Sequence, residues 1–285
     1  MIDFLYKISR KLLPSFLYRV FQRSALGRVK SWEKFSTYQN IFRFYESSIK
    51  ESLTDKVIAE TGCGNQIYTA CLFLMNGARN VVLVEPKLDL INDNRAIKNA
   101  ILIFRKHYPQ FLLSETDVKS KISVFSGLEK VPEEMNGKID MFFSHLVLEH
   151  IYPIEFFYSN VARLLSTDGF ALNRVDLTDH TYHIFTKFKF AQKFCNSRAL
   201  FHLRYSNRTF DFLNDPKCFM NRVSFPQHRE LAAKYGFGEQ IIEKNTCGPV
   251  RVHSDIRKAI NGPCDDKDLF VTSFCSLLMK RRNER

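Results

Sequence analysis

The chain has 285 residues, of which 45% are hydrophobic and 14% aromatic, and its formal net charge is +12. A chain this long and this apolar buries a sizeable core, which excludes an intrinsically disordered protein and favours one large domain with additions. The positive charge suits nucleic acid, an anionic membrane and an anionic substrate equally, because clustered Lys and Arg neutralise any of them.

The first element predicted is a basic amphipathic helix within residues 1–35, which carry a net charge of +6. Apolar residues recur there every four positions, at Phe4, Ile8, Leu12, Phe16 and Val20. Pro14 is expected to bend or break this helix. Its apolar stripe either lies on an anionic membrane surface or packs on the rest of the protein. We predict that residues 1–50 form a helical N-terminal extension.

From Val57 onward, short β-rich runs alternate with longer helical ones, which predicts a mostly parallel sheet covered by helices. The predicted strands are 57–60, 80–85, 121–126, 139–144, 169–175, 238–243 and 269–279. The predicted helices are 67–76, 87–107, 153–165 and 226–235. The connection at about 177–225 is rich in aromatic and basic residues, and an insertion of this length predicts a binding element.

A glycine-containing turn follows the first predicted strand, in the sequence Glu60-Thr-Gly62-Cys-Gly64-Asn-Gln66. Glycines allow the backbone to turn sharply and approach a ligand, and the following helix offers unsatisfied N–H groups. Glu85 ends the second strand, where a carboxylate accepts both hydroxyls of a ribose. The pattern predicts an adenosine-containing ligand at the carboxyl edge of the sheet.

A dinucleotide-binding site is the alternative interpretation, because it also uses glycines and a distal acid. Its third glycine would fall on Ile67, whose side chain obstructs a pyrophosphate. Glu60 also suits a ligand with an ammonium and a sulfonium better than it suits a pyrophosphate. We therefore expect no NAD binding.

The glycine turn resembles motif I of the class I S-adenosylmethionine (SAM)-dependent methyltransferases, although Gln66 stands at the family's third glycine. The resemblance covers roughly residues 55–175, and the last two strands resemble the family's closing antiparallel hairpin. It implies a Rossmann-like seven-stranded sheet, SAM as cofactor, and residues 51–285 as the methyltransferase domain. The cofactor-binding residues that it implies are Glu60, Gly62 and Gly64 at the methionyl part, Glu85 at the ribose, Ser126 and Leu128 at the adenine, and Ser144.

The fourth strand runs into the sequence from Ser144 to His150, whose ending Leu-Glu-His is similar to that of many small-molecule methyltransferases. Transfer of a methyl group to oxygen requires removal of the hydroxyl proton, for which histidine suits neutral pH. The candidate bases, with their carboxylate partners, are His145, His150, His180, Asp176 and Asp179. Two alternatives remain open: His150 beside Glu149 holds a helix start, or Glu149, His150, Asp176 and His180 bind a divalent metal. We expect no metal, because the first acid of the corresponding family pattern falls on Leu146.

The region from Val175 to Phe237 resembles methyltransferases encoded among bacterial surface-polysaccharide genes. Aromatic faces stack on sugar rings, and arginine binds carboxylate or phosphate through forked hydrogen bonds. The substrate-binding residues predicted on this basis are Asp179, Arg204, Tyr205, Arg208 and Arg222. The alternative is an ordinary helical cap with solvated arginines.

The expected function is SAM-dependent O-methylation of a sugar, a glycan or a similar small anionic acceptor. An RNA methyltransferase is disfavoured, because the chain lacks an Asn-Pro-Pro-Tyr type motif and a recognisable RNA-binding module. A third hypothesis is a non-catalytic scaffold that binds membrane or a partner through residues 1–35. The seven Cys show no metal-binding spacing, and we expect free thiols and a cytoplasmic protein, peripheral on the inner face of the membrane.

Overall fold

The computed structural model describes residues 31–49, 51–86, 88, 90, 94–179, 199–214, 219–260 and 266–281. The strands are β1 (Val57–Thr61), β2 (Asn80–Val84), β3 (Ile122–Phe125), β4 (Ile139–His145), β5 (Leu165–Asp176), β6 (Phe237–Thr246) and β7 (Val271–Lys280). The helices are α1 (Ser31–Ser48), α2 (Tyr68–Met75), α3 (Arg95–His107), α4 (Glu115–Lys121), α5 (Ile154–Leu164), α6 (Asn207–Leu213), α7 (Phe225–Lys234), α8 (Ser254–Ala259) and α9 (Asp266–Leu269).

The strands form one seven-stranded sheet in the order β3-β2-β1-β4-β5-β7-β6. Strands β1 to β5 pair in parallel, and β7 lies antiparallel between β5 and β6. This is the Rossmann-like sheet of the class I methyltransferase fold, so the predicted fold class is confirmed. Because the strand order reverses between β1 and β4, a crevice opens at the carboxyl ends of these two strands.

One predicted helix is much shorter than expected, and the structure also has helices for which no bounds were predicted, including α4. Of the helix predicted over 87–107, the described residues form a helix over Arg95–His107, and the Leu88 N–H donates to the Glu85 carbonyl in a turn after β2. Helix α4 lies between α3 and β3, in a stretch without an apolar helical pattern. Its sequence signal is the capping box formed by Ser114 and Asp117, whose side chains each bond the other's backbone N–H.

Side chains alternate between the two faces of the sheet and build a hydrophobic cluster on each. In β4, Phe142 belongs to the cluster beneath α5 and α7, whereas Met141 and Phe143 belong to the cluster beneath α2 and α3. Both faces of a parallel sheet are covered by helices, which explains the nearly continuous apolar character of the inner strands.

Helix α1 packs on the second of these clusters. Phe35, Phe42 and Tyr45 are buried there, and the Tyr45 ring lies 4.6 Å from the ring of Phe143. This half of the predicted N-terminal extension is therefore part of the core, while residues 1–30 of the predicted amphipathic helix lie outside the described residues. None of the helices in the described ranges is long and apolar enough to cross a membrane.

Candidate functional site

Two adjoining cavities lie at the carboxyl edge of the sheet. Cavity A has a volume of about 560 Å³ and cavity B about 290 Å³, and both are lined by Thr61 and Gly62. They therefore meet at the end of β1. Cavity A extends towards β2, β3 and the turn after β4, and cavity B extends towards α1 and His145.

The turn after β1 needs glycine at its centre. Gly62 and Gly64 have φ angles of +79° and +67°, in the left-handed region that favours glycine. A Cβ at Gly62 would lie 2.2 Å from Cγ2 of Val147, whereas a Cβ at Gly64 would meet nothing within 4 Å. Glycine at position 62 thus lets the turn after β1 touch the turn after β4.

Cavity A collects the predicted ribose and adenine residues. Glu85 lines it together with Ser126 and Leu128, which follow β3. The Glu85 side chain is also tied to the glycine turn, because its Oε2 accepts a hydrogen bond from the Gly64 N–H at 2.9 Å. This hydrogen bond holds the buried Glu85 carboxylate in a fixed place on the wall of the cavity.

Three residues that line cavity B each have one buried side-chain atom that lacks a hydrogen-bond partner within the described part of the chain. They are Oε2 of Glu60, Oε1 of Gln66 and Nδ1 of His145. Burial raises the pKa of Glu60 to about 8. Burial, with the nearby Arg174 charge, lowers the pKa of His145 to about 4. Since buried polar atoms are almost always paired, this group of atoms favours a ligand that carries hydrogen-bond donors, such as an ammonium.

Helix α1 closes cavity B through Thr37, Tyr38 and Ile41. The Tyr38 hydroxyl donates to the Cys63 carbonyl at 3.3 Å, and burial raises the pKa of this tyrosine to about 12. Sequence reasoning missed these residues. The aromatic side chains at 35, 38, 42 and 45, spaced three and four apart, were the available signal.

His150 lines cavity A from the short 3₁₀ turn Leu148–His150 that follows β4. Its Nδ1 lies 2.5 Å from the carbonyl oxygen of Phe219. Because a carbonyl oxygen only accepts, Nδ1 carries the proton, and Nε2 of the neutral ring keeps its lone pair. A histidine in this tautomer accepts a proton at Nε2.

Other predicted residues of the sheet edge lie outside both cavities. Ser144 is buried and donates to Oδ1 of Asn173 on the neighbouring strand. Oδ1 of Asp176 accepts from the backbone and the hydroxyl of Thr178. Glu149 is buried, which raises its pKa to about 8, and the described residues contain no group of metal-binding side chains. His180 lies outside the described residues.

A third cavity, cavity C, has a volume of about 950 Å³ and shares Phe219 with cavity A. Arg222 lines it, but its guanidinium donates to the Tyr205 carbonyl at 2.8 Å and to Oδ1 of Asn207. The Arg222 Cζ also lies 4.3 Å from the centre of the Phe210 ring. In this structure Arg222 therefore joins two parts of the insertion.

The remaining predicted acceptor residues are spread around this insertion. Arg204 lies over the Phe201 ring at 5.2 Å, and Asp179 is buried, with its N–H bonded to the Ala199 carbonyl. The side chains of Arg204, Tyr205, Arg208 and Asp179 line none of cavities A, B and C. Their roles in acceptor binding stay predictions.

No protein-family profile and no curated protein matches the chain. Among solved structures it is similar to the YcgJ protein from Bacillus subtilis, with 14% identity, a TM-score of 0.48, and coverage of 86% of this chain and 100% of that chain. It is also similar to a putative SAM-dependent methyltransferase from Listeria monocytogenes, with 15% identity, a TM-score of 0.46, and coverage of 85% and 100%.

A third similar structure is phosphoethanolamine N-methyltransferase 2 from Haemonchus contortus, with 12% identity and a TM-score of 0.48. The match covers 98% of this chain and 61% of that one. At TM-scores below 0.5 these likenesses carry no weight on activity or ligand, and the fold class rests on the strand order of the sheet itself.

Proposed function

We propose that the chain is a SAM-dependent methyltransferase. The observation that carries this proposal is that cavity B, whose lining residues include three with an unpartnered buried polar atom, adjoins cavity A, which Glu85 lines. SAM has an ammonium and a carboxylate at one end and a ribose with two hydroxyls towards the other. The two cavities match this order, since the first needs hydrogen-bond donors and the second offers a carboxylate to hydroxyls.

The lining of the cavities supports the proposed cofactor-binding roles. Glu60 and Gln66 would hold the amino-acid end, Glu85 the ribose, and the segment from Ser126 to Leu128 the adenine. Ionised Glu60 offers the ammonium an opposite charge inside a buried site, where Coulomb attraction is strong. Gln66, which replaces the family's third glycine, adds a second acceptor to the same cavity.

His150 is the residue proposed to take the acceptor's proton. Bound SAM supplies an electrophilic methyl group, and the acceptor must lose a proton as the new bond forms. Nε2 of His150 has the lone pair for this task, because Nδ1 is bonded to the Phe219 carbonyl. His145 is a poorer base, since a pKa of about 4 means that it does not retain a proton near neutral pH.

The proposed acceptor is a hydroxyl of a sugar, a glycan or a similar small anionic molecule. Support for a sugar comes from cavity C, which adjoins cavity A at Phe219 and is lined by the aromatic residues Tyr152 and Phe219. Aromatic faces stack on sugar rings. A role in surface-polysaccharide synthesis, with attachment to the inner membrane face through residues 1–35, is part of the same proposal.

The first test is calorimetric titration of the full chain with SAM, S-adenosylhomocysteine and NAD. We expect the first two to bind and NAD not to bind. Glu85→Ala should weaken SAM binding by roughly 1.5–3 kcal/mol, because a charged acceptor of two hydroxyls is lost. Tight NAD binding without SAM binding would reject the proposal.

The second test is a screen with methyl-labelled SAM against nucleotide sugars, anionic oligosaccharides and total RNA. Transfer to a carbohydrate hydroxyl is the expected result. Transfer to RNA alone would reject a carbohydrate acceptor but leave methyl transfer as the reaction. SAM binding without transfer to any of these acceptors would favour the non-catalytic scaffold.

A further inference from the structure

A short segment of the insertion, residues 219–223, crosses the turn that carries His150, and we call it the strap. Its central residue is Asn221, which is 7% exposed. The Asn221 N–H donates to the Glu149 carbonyl at 2.7 Å, and its side-chain amide donates to the carbonyls of Leu148 and Ile151 at 2.7 and 2.9 Å. One side chain therefore ties the strap to both ends of the turn.

The hydrogen-bonding groups of the Asn221 side chain are all used within the protein. Its Oδ1 accepts from the Val223 N–H at 3.1 Å, which fixes the strap's own path. A buried amide that is satisfied in this way is held rigidly, because any shift would leave a polar group unpaired.

The strap is held from its other side by Asn214, at the end of α6. Oδ1 of Asn214 accepts from the Met220 N–H at 3.1 Å, and Nδ2 donates to the Met220 carbonyl at 2.8 Å. Met220 lies between Phe219 and Asn221, so both asparagines fix the place of the Phe219 carbonyl. That carbonyl is the group that meets Nδ1 of His150 at 2.5 Å.

We propose that Asn221, assisted by Asn214, is a positioning residue that holds the Phe219 carbonyl on His150 and thereby keeps the proton on Nδ1 and the lone pair on Nε2. In the other tautomer Nε2 carries the proton and cannot accept one, so the strap selects the form of the ring that a general base needs. The use of this tautomer in catalysis rests on the proposed methyl transfer. The tautomer itself is inferred from the contact with the Phe219 carbonyl alone.

The test is a long-range ¹⁵N–¹H spectrum of the ¹⁵N-labelled full chain at about pH 8, where an ordinary histidine is neutral. The His150 signals are assigned by their loss in His150→Ala. We expect the unmutated protein to show His150 with its proton on Nδ1. In Asn221→Ala the tautomer ratio should move towards Nε2–H by about three- to tenfold, the effect expected from losing one well-formed hydrogen bond.

Asn214→Ala provides a second variant, expected to shift the ratio in the same direction should Asn221→Ala fail to fold. Asn76→Ala is the matched control, because the Asn76 side chain also donates to a backbone carbonyl, that of Leu72, at the end of α2 and far from the strap. The control should leave the His150 signals unchanged. An unshifted ratio in every folded strap variant, or an unmutated protein with its proton on Nε2, would overturn the inference.

The outcome is independent of the proposed function. If His150 carries its proton on Nδ1 only when Asn221 is present, but the protein binds no SAM, the positioning role stands and the proposed methyl transfer is rejected. If instead the protein transfers methyl groups and the tautomer ratio is unchanged in the strap variants, the proposed function stands and the positioning role is rejected.

Discussion

At the scale of single residues, Glu60 is buried and lines the cavity proposed for an ammonium. Its pKa is raised to about 8 by burial, so the carboxyl is protonated in the free protein below that pH. Pairing with an ammonium requires the ionised form and lowers the pKa in the complex. Binding of SAM should therefore release a proton.

The prediction is that SAM affinity rises with pH, by up to about tenfold per unit, until about pH 8, and then levels. The sign follows from the pKa, which is higher in the free protein than in the complex. Calorimetry at about pH 7 in two buffers of different ionisation enthalpy counts the released proton. Glu60→Gln should abolish the release, and so should 5′-methylthioadenosine as ligand, because it lacks the amino-acid part. Affinity that is constant from about pH 6 to 8 with Glu60 intact would contradict the assignment.

His150 is the second residue on which the chemistry depends. His150→Ala should lower turnover by roughly 10²–10⁴ while leaving SAM affinity nearly unchanged, because a general base acts mainly in the transition state. His145→Ala is the comparison, and we expect it to reduce SAM affinity, since His145 lines cavity B. The assay is labelled methyl transfer to the acceptor found in the screen. Unchanged turnover in His150→Ala would exclude His150 as the base.

At the scale of elements, the site depends on contact between the turns after β1 and β4. Gly62→Ala and Gly64→Ala both place a side chain at positive φ, which costs roughly 1–2 kcal/mol each. Gly62→Ala alone also brings its Cβ within 2.2 Å of Val147. We predict a larger loss of unfolding free energy and of SAM affinity for Gly62→Ala than for Gly64→Ala.

Denaturant unfolding and calorimetry measure both losses. Val147→Ala removes the clashing methyl groups, so it should recover part of the loss in the Gly62→Ala background and none in the Gly64→Ala background. Equal losses for the two glycine variants would show that the contact with Val147 is unimportant.

At the scale of the whole molecule, helix α1 of the N-terminal region is part of the core. Phe35, Phe42 and Tyr45 of α1 are buried, and each such ring contributes about 1.5–3 kcal/mol, a large share of an ordinary domain's stability. The proposed membrane attachment depends on the positive charges of residues 1–35, since each basic residue near an anionic membrane contributes about 1 kcal/mol.

We predict that a chain of residues 31–285 binds SAM like the full chain, whereas a chain of residues 51–285 does not. The full chain should sediment with anionic liposomes at low salt and not at high salt, and residues 31–285 should stay in the supernatant. Calorimetry and liposome sedimentation measure the two properties. Equal recovery of the full chain with neutral and anionic lipids would leave residues 1–30 with a packing role alone.

The alternation of strands and helices, the glycine turn and Glu85 were readable from the sequence, because each depends on neighbours a few residues apart or on one predicted strand end. They determined the fold class and predicted an adenosine-containing ligand. Only the tertiary structure showed which residues from distant parts of the chain meet at the site. It placed Tyr38 of α1 over cavity B, left Gln66 Oε1 there without a partner, and brought Asn221 onto the turn of His150, some 70 residues earlier in the chain. Such contacts depend on how whole elements pack, and packing joins residues whose spacing in sequence carries no periodic signal.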